Sequence, residues 1–506
     1  MFVTVTFPIY SFKTFVYKTP KALINKIKPG VCIKAPFANK IFIGYILNIK
    51  KKTHYKGQIL SISDLYDETM NLDSGLWKTL IWMSQYYITP IGKIIKVALP
   101  YSFHKEYIPK FKKYIIILPK GVKKINSLQT MPQLQQKTLQ YLFNNNKYVS
   151  IASLKSISNS PYQVCNKLTE YGFTKIINKE HISNPLDEFN IKTSQKKKLS
   201  NEQQIVYNSI YDYIVLKEFK SFLLHGVTGS GKTEIYLKLA EATIEINRTV
   251  IVLVPEIALT PTMAIKFNQL FGDKVALWHS KLSKGEKNYT WKNIKKGNYS
   301  IVIGARSAIF LPLPNLGLII IDEEQESSYK QDLSSPRYHA RDVALVRAKK
   351  TNAICVLGSA TPSMESYFNG INNKHKLIKL TKRYGISKYP AVHLINMKRE
   401  HQKTKNYNQI FSRELINSIN ECIKKNEQVI ILQNRRGYAY IQKCNTCGWI
   451  NSCIICSVSM TYHKINNKMI CHYCNHSSSI ASECKECKSL ELQLSGGGTQ
   501  KIEFEL

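Results

Sequence analysis

Apolar and polar residues alternate through the first ten positions, Met1 to Tyr10, which is the period of a β-strand. Two apolar-rich runs follow, residues 31–37 and 41–47, separated by turn residues, so the first 105 or so residues read as β-rich. The pattern then changes: Leu76, Leu80, Ile81 and Met83 recur at helical spacing and predict a helix over 76–87. Residues 133–142, 150–156 and 161–171 read as three helices and 172–177 as a strand. That is the order of a winged-helix module, whose third helix often faces DNA, and equally of a small helical connector domain. A linker with Lys196, Lys197 and Lys198 spans 191–199. Five near-continuous apolar runs come next, at 221–225, 249–254, 299–303, 316–321 and 353–357, each separated by helical segments. Runs of that kind predict a parallel sheet covered on both faces. Residues 411–425 read as a helix, and Gln428 to Leu432 as a strand that begins a further sheet.

Composition adds direction. Lys and Arg total 72 against 34 Asp and Glu, a formal net charge of +38. Such an excess favours polyanions, nucleic acid above all. The chain is also rich in Asn, Ile and Tyr, as products of AT-rich genes are, so charge alone is a weak warrant. No apolar run of about 18 residues occurs, so no membrane helix is expected, and the N-terminus lacks the features of a signal peptide. Of twelve cysteines, eight fall in one short block and only Cys32, Cys165, Cys355 and Cys422 are scattered. That distribution suits metal binding in a reducing cytoplasm better than a secreted disulfide scaffold.

Candidate chemistry concentrates at two places. Gly226, Val227, Thr228, Gly229, Ser230, Gly231, Lys232 and Thr233 form a phosphate-binding loop between an expected strand and an expected helix, 234–246. Its glycines let backbone N–H groups approach phosphates, Lys232 is assigned to the β/γ phosphates of ATP, and Thr233 to Mg²⁺. Leu318-Ile-Ile-Ile-Asp-Glu-Glu-Gln325 ends a buried-type run in carboxylates; Asp322 is assigned to Mg²⁺ through water and Glu323 to activating the attacking water. The second place is the cysteine block: Cys444/Cys447, Cys453/Cys456, Cys471/Cys474 and Cys484/Cys487, with gaps of 5, 14 and 9 residues between pairs. Four such pairs make two closed tetrahedral zinc sites and combine in three ways. The 14-residue gap suits one ribbon from Cys453, Cys456, Cys471 and Cys474, leaving Cys444, Cys447, Cys484 and Cys487 for the second ion. His463, His472 and His476 are then non-ligands, and two closed sites argue against a zinc-dependent hydrolase.

Further segments occur in order: Leu253-Val-Pro-Glu-Ile-Ala-Leu-Thr260, Val302-Ile-Gly-Ala-Arg-Ser-Ala308, Leu357-Gly-Ser-Ala-Thr-Pro362 and Gln433-Asn-Arg-Arg-Gly-Tyr438, with the cysteine block inserted after the last. In this the chain resembles the PriA family of primosomal replication-restart DNA helicases (primosomal protein N′) over essentially its whole length. The resemblance implies a multidomain α/β fold. Residues 1–105 would be a β-rich domain like one that binds DNA 3′ ends, and 106–190 a winged-helix domain. A RecA-like superfamily 2 lobe would span 199–400, the start of a second lobe 401–443, the double-zinc module 444–490, and a return to an incomplete second lobe 491–506. It implies an ATP-dependent 3′-to-5′ helicase acting on single-stranded and forked DNA with other primosome proteins and single-stranded-DNA-binding protein. It further places Gln203 on the adenine, Gln325, Ser359, Ala360 and Thr361 in coupling, and residues 329–341 in an aromatic-rich DNA-sensing loop. In that loop Tyr329 and Tyr338 are expected to stack on bases, and Lys330 and Arg337 to meet phosphates.

Some positions depart from the family. A pocket for a 3′ end would use Phe15 and Tyr17, but Val16 stands where the family has Asp, and Ala38-Asn39 where it has Gly and a basic residue. The domain is therefore expected to keep only non-specific DNA affinity. Gln325 replaces a family His. Nothing like the later arginine-rich motif follows the cysteine block, so the alternative to a motor is a non-enzymatic fork-binding scaffold.

Overall fold

The computed structural model describes residues 1–55, 57–100, 111–125, 131–145, 148–180, 186, 197–255, 260–384, 389–405, 409–432, 441–463 and 467–495. It divides into two units, Met1–Lys388 and Tyr389–Leu506. The segment 433–438, residues 256–259 within 253–260, and the glycines after 495 lie outside the described residues.

The N-terminal sheet contains β1 (Phe2–Thr6), β2 (Phe15–Lys18), β3 (Cys32–Phe37), β4 (Lys40–Lys50) and β5 (Asp64–Leu65), in the order β2-β1-β4-β3-β5. Its alternation works as read: Val3, Val5, Phe7, Tyr17, Ile33, Ala35 and Ile46 fill one core. β3 and β4 are joined by Ala38 and Asn39, both at positive φ (48° and 60°), as a two-residue hairpin turn demands. The helix Ser74–Tyr86 begins at Asp73, whose carboxylate accepts the Leu76 N–H at 2.8 Å.

A three-stranded sheet follows, β6 (Phe111–Ile117), β7 (Val149–Ser150) and β8 (Thr174–Glu180), in the order β7-β6-β8. Helices Gln133–Asn144 and Pro161–Glu170 pack with it around Ile115, Leu142, Val149, Leu154 and Cys165. The second expected helix is a 3₁₀ turn, Ile151–Ser156, rather than an α-helix.

The large sheet holds β9 (Lys220–Gly226), β10 (Thr249–Leu253), β11 (Val275–Trp278), β12 (Ile301–Gly304), β13 (Leu316–Asp322), β14 (Ile354–Ser359) and β15 (Lys376–Leu380). All pairings are parallel, in the order β11-β12-β10-β13-β14-β9-β15. The strands feed two cores; on β13 the residues alternate from Leu318 to Ile321, after a register shift against β10 between Leu316 and Leu318. On β13, Leu318 and Ile320 face one core with helices Asn201–Leu216 and Lys232–Glu245. Leu316, Ile319 and Ile321 face the other, together with Leu76, Trp77 and Leu80 of the N-terminal helix. The two edge strands β11 and β15 are not marked by the apolar pattern: one is four residues long, the other reads Lys-Leu-Ile-Lys-Leu, with both lysines exposed.

The N-terminal helix Ser74–Tyr86 packs on the helix Ala340–Thr351 of the large domain. Trp291 donates its indole N–H to the Thr69 carbonyl at 3.1 Å across the same junction. Arg347 is fully buried beneath it and donates to the carbonyls of Ile309 and Leu311. Burial brings its pKa down to about 10, low for a guanidinium.

In the second unit, helices Met397–Thr404 and Arg413–Lys424 have no buried residue. Residues 428–432 do not form the expected strand: they pair with nothing among the described residues, and Ile430 and Leu432 are 95% and 86% exposed. A strand is stabilised by its ladder, and here none is present to hold the pleat.

Arg347→Ala should leave two buried carbonyls without donors and open a cavity, lowering unfolding free energy by about 3–5 kcal/mol. Denaturant titration measures this; a loss below about 1 kcal/mol would show that Arg347 does not anchor the junction.

Candidate nucleotide and metal sites

The carboxyl ends of β13, β14 and β9 are adjacent in the sheet and carry the polar residues picked out above. The loop after β9 turns through Gly229 and Gly231, at φ +81° and +80°, where a side chain would be strained. Gly231 is also the N-cap of the helix Lys232–Glu245, so the loop delivers a helix N-terminus to the site. Lys232 Nζ lies across the loop, donating to the Gly226 carbonyl at 2.9 Å and 4.0 Å from Glu323 Oε1. Thr233 follows on the helix; Val227, Thr228 and Ser230 complete the loop, and Ser230 Oγ is buried without a hydrogen-bond partner among the described residues. The strand β15 and the residues after it back the loop: Val227 N donates to the Leu380 carbonyl at 3.1 Å, and Tyr384 N to the Gly229 carbonyl at 2.8 Å. Sequence patterns missed this support because it comes from an unforeseen strand 150 residues away.

Gln203 is 2% exposed, and both ends of its amide are engaged. Oε1 accepts from Ser200 N (2.9 Å) as half of a capping box, and Nε2 donates to the Ser230 carbonyl (2.8 Å). As placed, it braces the phosphate loop rather than presenting a free edge to adenine.

Asp322 ends β13. Burial raises its pKa, with the neighbouring Glu323 adding to the effect. The hydroxyl of Tyr236 donates to Asp322 Oδ1 at 3.0 Å, and that of Tyr329 to the Asp322 carbonyl at 2.7 Å. Glu323 adopts a positive φ of 46°, which turns the chain sharply at the sheet edge. Gln325 then links two motifs: its Nε2 donates to Glu323 Oε2 (3.0 Å), and its Oε1 accepts from Ser359 Oγ (2.6 Å). Ser359 Oγ in turn accepts from Thr361 N at 2.9 Å, with Ala360 half-buried between them. An amide, like an imidazole, can donate on one side and accept on the other.

Glu324, not among the residues assigned from the sequence, is fully buried. It receives Arg341 Nη1 (2.9 Å), Ser363 N (2.7 Å) and Ser366 Oγ (2.8 Å), tying the acidic motif to both the 329–341 loop and the segment after β14. Its signal was present but ambiguous: a third acidic residue in a row, followed by an arginine 17 positions on.

The aromatic loop requires a correction. Tyr329 and Tyr338 are 0% and 1% exposed. Tyr329 is consumed by Asp322, and Tyr338 packs edge-on against Phe310 at 5.3 Å with the Arg306 guanidinium over its ring. Neither presents a face for stacking. Lys330 is half-buried and Arg337 exposed. In the N-terminal sheet, Tyr17 is 5% exposed with its hydroxyl donated to the Pro36 carbonyl (2.7 Å), while Phe15 is half-buried against Phe37 at 4.9 Å.

The eight cysteines form two Cys₄ groups among the described residues: Cys444, Cys447, Cys484 and Cys487, and Cys453, Cys456, Cys471 and Cys474. Cross-pair Sγ···Sγ distances run from 3.3 to 3.7 Å. Four thiolates about 2.3 Å from one tetrahedral ion lie roughly 3.8 Å apart, so the donor set fits zinc. All four Cys-x-x-Cys turns are built alike. The amide four residues after the first Cys (Gly448, Ser457, Asn475, Lys488) donates back to that Cys carbonyl at 2.8–3.0 Å, each from a positive φ. The first Cys N–H closes the turn by donating to the carbonyl five residues on. His463 and His472 hydrogen-bond each other (3.0 Å) outside both groups.

A seven-stranded parallel sheet with a phosphate loop and an acidic strand end flanking a Ser-Ala-Thr strand end defines a superfamily 2 helicase ATP-binding lobe. The DEAD/DEAH box helicase profile matches residues 200–368. The 3′DNA-binding domain profile of PriA matches residues 3–100, and that of the PriA DNA helicase Cys-rich region residues 453–478. The chain is 34% identical to the replication restart protein PriA of Bacillus subtilis, over 98% of this chain and 69% of that protein. It is 35% identical to that of Chlamydia trachomatis and 36% identical to that of Chlamydia pneumoniae, covering 96% and 97% of this chain. The chain belongs to the PriA family of replication restart proteins. It spans 66% of the length of each of these two chlamydial relatives.

Tyr329→Phe should cost about 1–2 kcal/mol of stability by stranding the Asp322 carbonyl, with single-stranded DNA affinity within about twofold. Paired melting and fluorescence-anisotropy titrations check this. Unchanged stability, or an affinity loss well above twofold, would show that the hydroxyl serves DNA rather than the Asp322 carbonyl.

Proposed function

We propose that the chain is the ATP-binding and DNA-engaging part of a 3′-to-5′ helicase that binds stalled or repaired forks and initiates primosome assembly. The observation that carries this reading is the contact of Lys232 with Glu323 beside Asp322, and the hydrogen-bonded run from Glu323 through Gln325 to Ser359 and Thr361. In this reading Lys232 leaves the Gly226 carbonyl for the β/γ phosphates of ATP, and Asp322 and Thr233 hold Mg²⁺. When bound, Mg²⁺ would supply neutralisation of the phosphate charge. Glu323, held by Gln325, orients and deprotonates water. Because Gln325 also holds Ser359, movement of the segment after β14 would alter the position of Glu323, which couples the nucleotide to the DNA path.

Exposed Arg337 and half-buried Lys330 supply phosphate contacts, and the N-terminal sheet holds DNA without specific capture of a 3′ end, since Val16 cannot accept from a hydroxyl. The two Cys₄ groups hold two zinc ions, both structural, on a face that meets primosome proteins and single-stranded-DNA-binding protein. No helix among the described residues is long and apolar enough to cross a membrane, and cysteines kept for metal rather than disulfides suit a reducing cytoplasm.

One observation favours a second reading for the 506-residue chain by itself. Residues 428–432 have no strand partner among the described residues. The alternative is a scaffold that binds forks and recruits partners without unwinding.

DNA-stimulated ATP hydrolysis by the purified chain separates the two. The motor reading expects a rate raised by forked DNA and abolished in Lys232→Ala; a rate equal to that of Lys232→Ala, with fork binding intact, supports the scaffold. Metal analysis should return about two zinc per chain and about one in Cys471→Ser. Acid-labile sulfide with iron would overturn the zinc assignment.

A further inference from the structure

Tyr236 lies one turn beyond Lys232 on the same helix, with no exposed surface. Its hydroxyl crosses to β13 and donates to Asp322 Oδ1 at 3.0 Å. Asp322 pairs in register with Gly358 of β14, and Gly358 with Leu224 of β9. A Cβ at position 358 would fall on the Tyr236 hydroxyl and 2.9 Å from its Cζ. A tyrosine on the phosphate-loop helix and a glycine on the strand between loop and carboxylate therefore interlock. A carboxylate oxygen at the rim of a buried sheet needs a donor. A lysine or arginine there would compete with a divalent cation for the charge; a phenol supplies the hydrogen bond and leaves the charge in place. With Oδ1 tied, rotation of the carboxylate is restrained and one orientation of Oδ2 is favoured. The Asp322 main chain is tied separately by Tyr329, so Tyr236 acts on the carboxylate alone.

We propose that Tyr236 is a positioning residue that holds Asp322 in the orientation that receives the divalent metal, and that residue 358 is glycine to leave room for its hydroxyl. This rests on the nucleotide-site reading above. The test uses the full chain with Mn²⁺ and a non-hydrolysable ATP analogue, following free Mn²⁺ by electron paramagnetic resonance and metal-free nucleotide binding in chelator. Tyr236→Phe should raise the Mn²⁺ half-saturation about 10-fold, as loss of a hydrogen bond to a charged group implies, with metal-free nucleotide affinity within about twofold. Gly358→Ala should raise it similarly in the native chain, but by less than about twofold in the Tyr236→Phe background, because the two changes remove one contact. Unshifted Mn²⁺ half-saturation in Tyr236→Phe, or equal effects of Gly358→Ala in both backgrounds, overturns the positioning role while nucleotide binding stands. A native chain that binds no nucleotide with or without Mn²⁺ overturns the nucleotide-site reading and the positioning role with it.

Discussion

Burial of both faces of the seven-stranded sheet is the constraint from which the site follows. Successive residues of β13 go to opposite cores, so the strand has no solvent face on which polar chemistry could sit. A parallel sheet covered on both sides leaves only its strand ends open, and the loops at the carboxyl ends are where ligands bind. The strand order then decides which loops meet. With β14 between β13 and β9, the acidic end, the Ser-Ala-Thr end and the phosphate loop are neighbours, although the loop at Gly226 lies far ahead of Asp322 and Ser359 in the sequence. The buried acids and amide named at that rim are tied: Asp322 by two tyrosines, Glu324 by an arginine and two serines, and Gln203 by a cap and a loop carbonyl. Each tie answers the cost of an unsatisfied polar group next to a hydrophobic core.

The cysteine module solves a different problem. Its apolar cluster is small, with Met460 and Met469 beside Cys453 and Cys471, and cannot hold such a fold by burial alone. Four copies of one turn, each closed by the same pair of backbone hydrogen bonds, aim paired thiolates at two points. Metal binding at those points substitutes for a core.

Much of this was legible. Near-continuous apolar runs gave five of the seven parallel strands, and glycine spacing gave the phosphate loop, because both are local consequences of composition. The nested pairing of cysteines was legible from gap lengths. What escaped was set by distant contacts. Tyr329 and Tyr338 looked like stacking faces in a basic loop, but Asp322 and Phe310, brought in by the fold, bury them. Gln203 reads as a nucleotide contact until its capping role is seen. Gln428–Leu432 has the composition of a buried strand, yet nothing among the described residues pairs with it, since β-pattern states a preference and not a partner. Glu324 and Tyr236 carried no periodicity that could mark them.

The central claim is that three neighbouring strand ends of this chain form one nucleotide site. A crystal structure of the chain with Mg²⁺ and a non-hydrolysable ATP analogue tests it most directly. The account predicts phosphates against the backbone amides of 229–233, Lys232 released from the Gly226 carbonyl, and the metal beside Asp322 with the Tyr236 contact kept. Nucleotide bound elsewhere, or Lys232 still held by Gly226 with the loop empty, would contradict it.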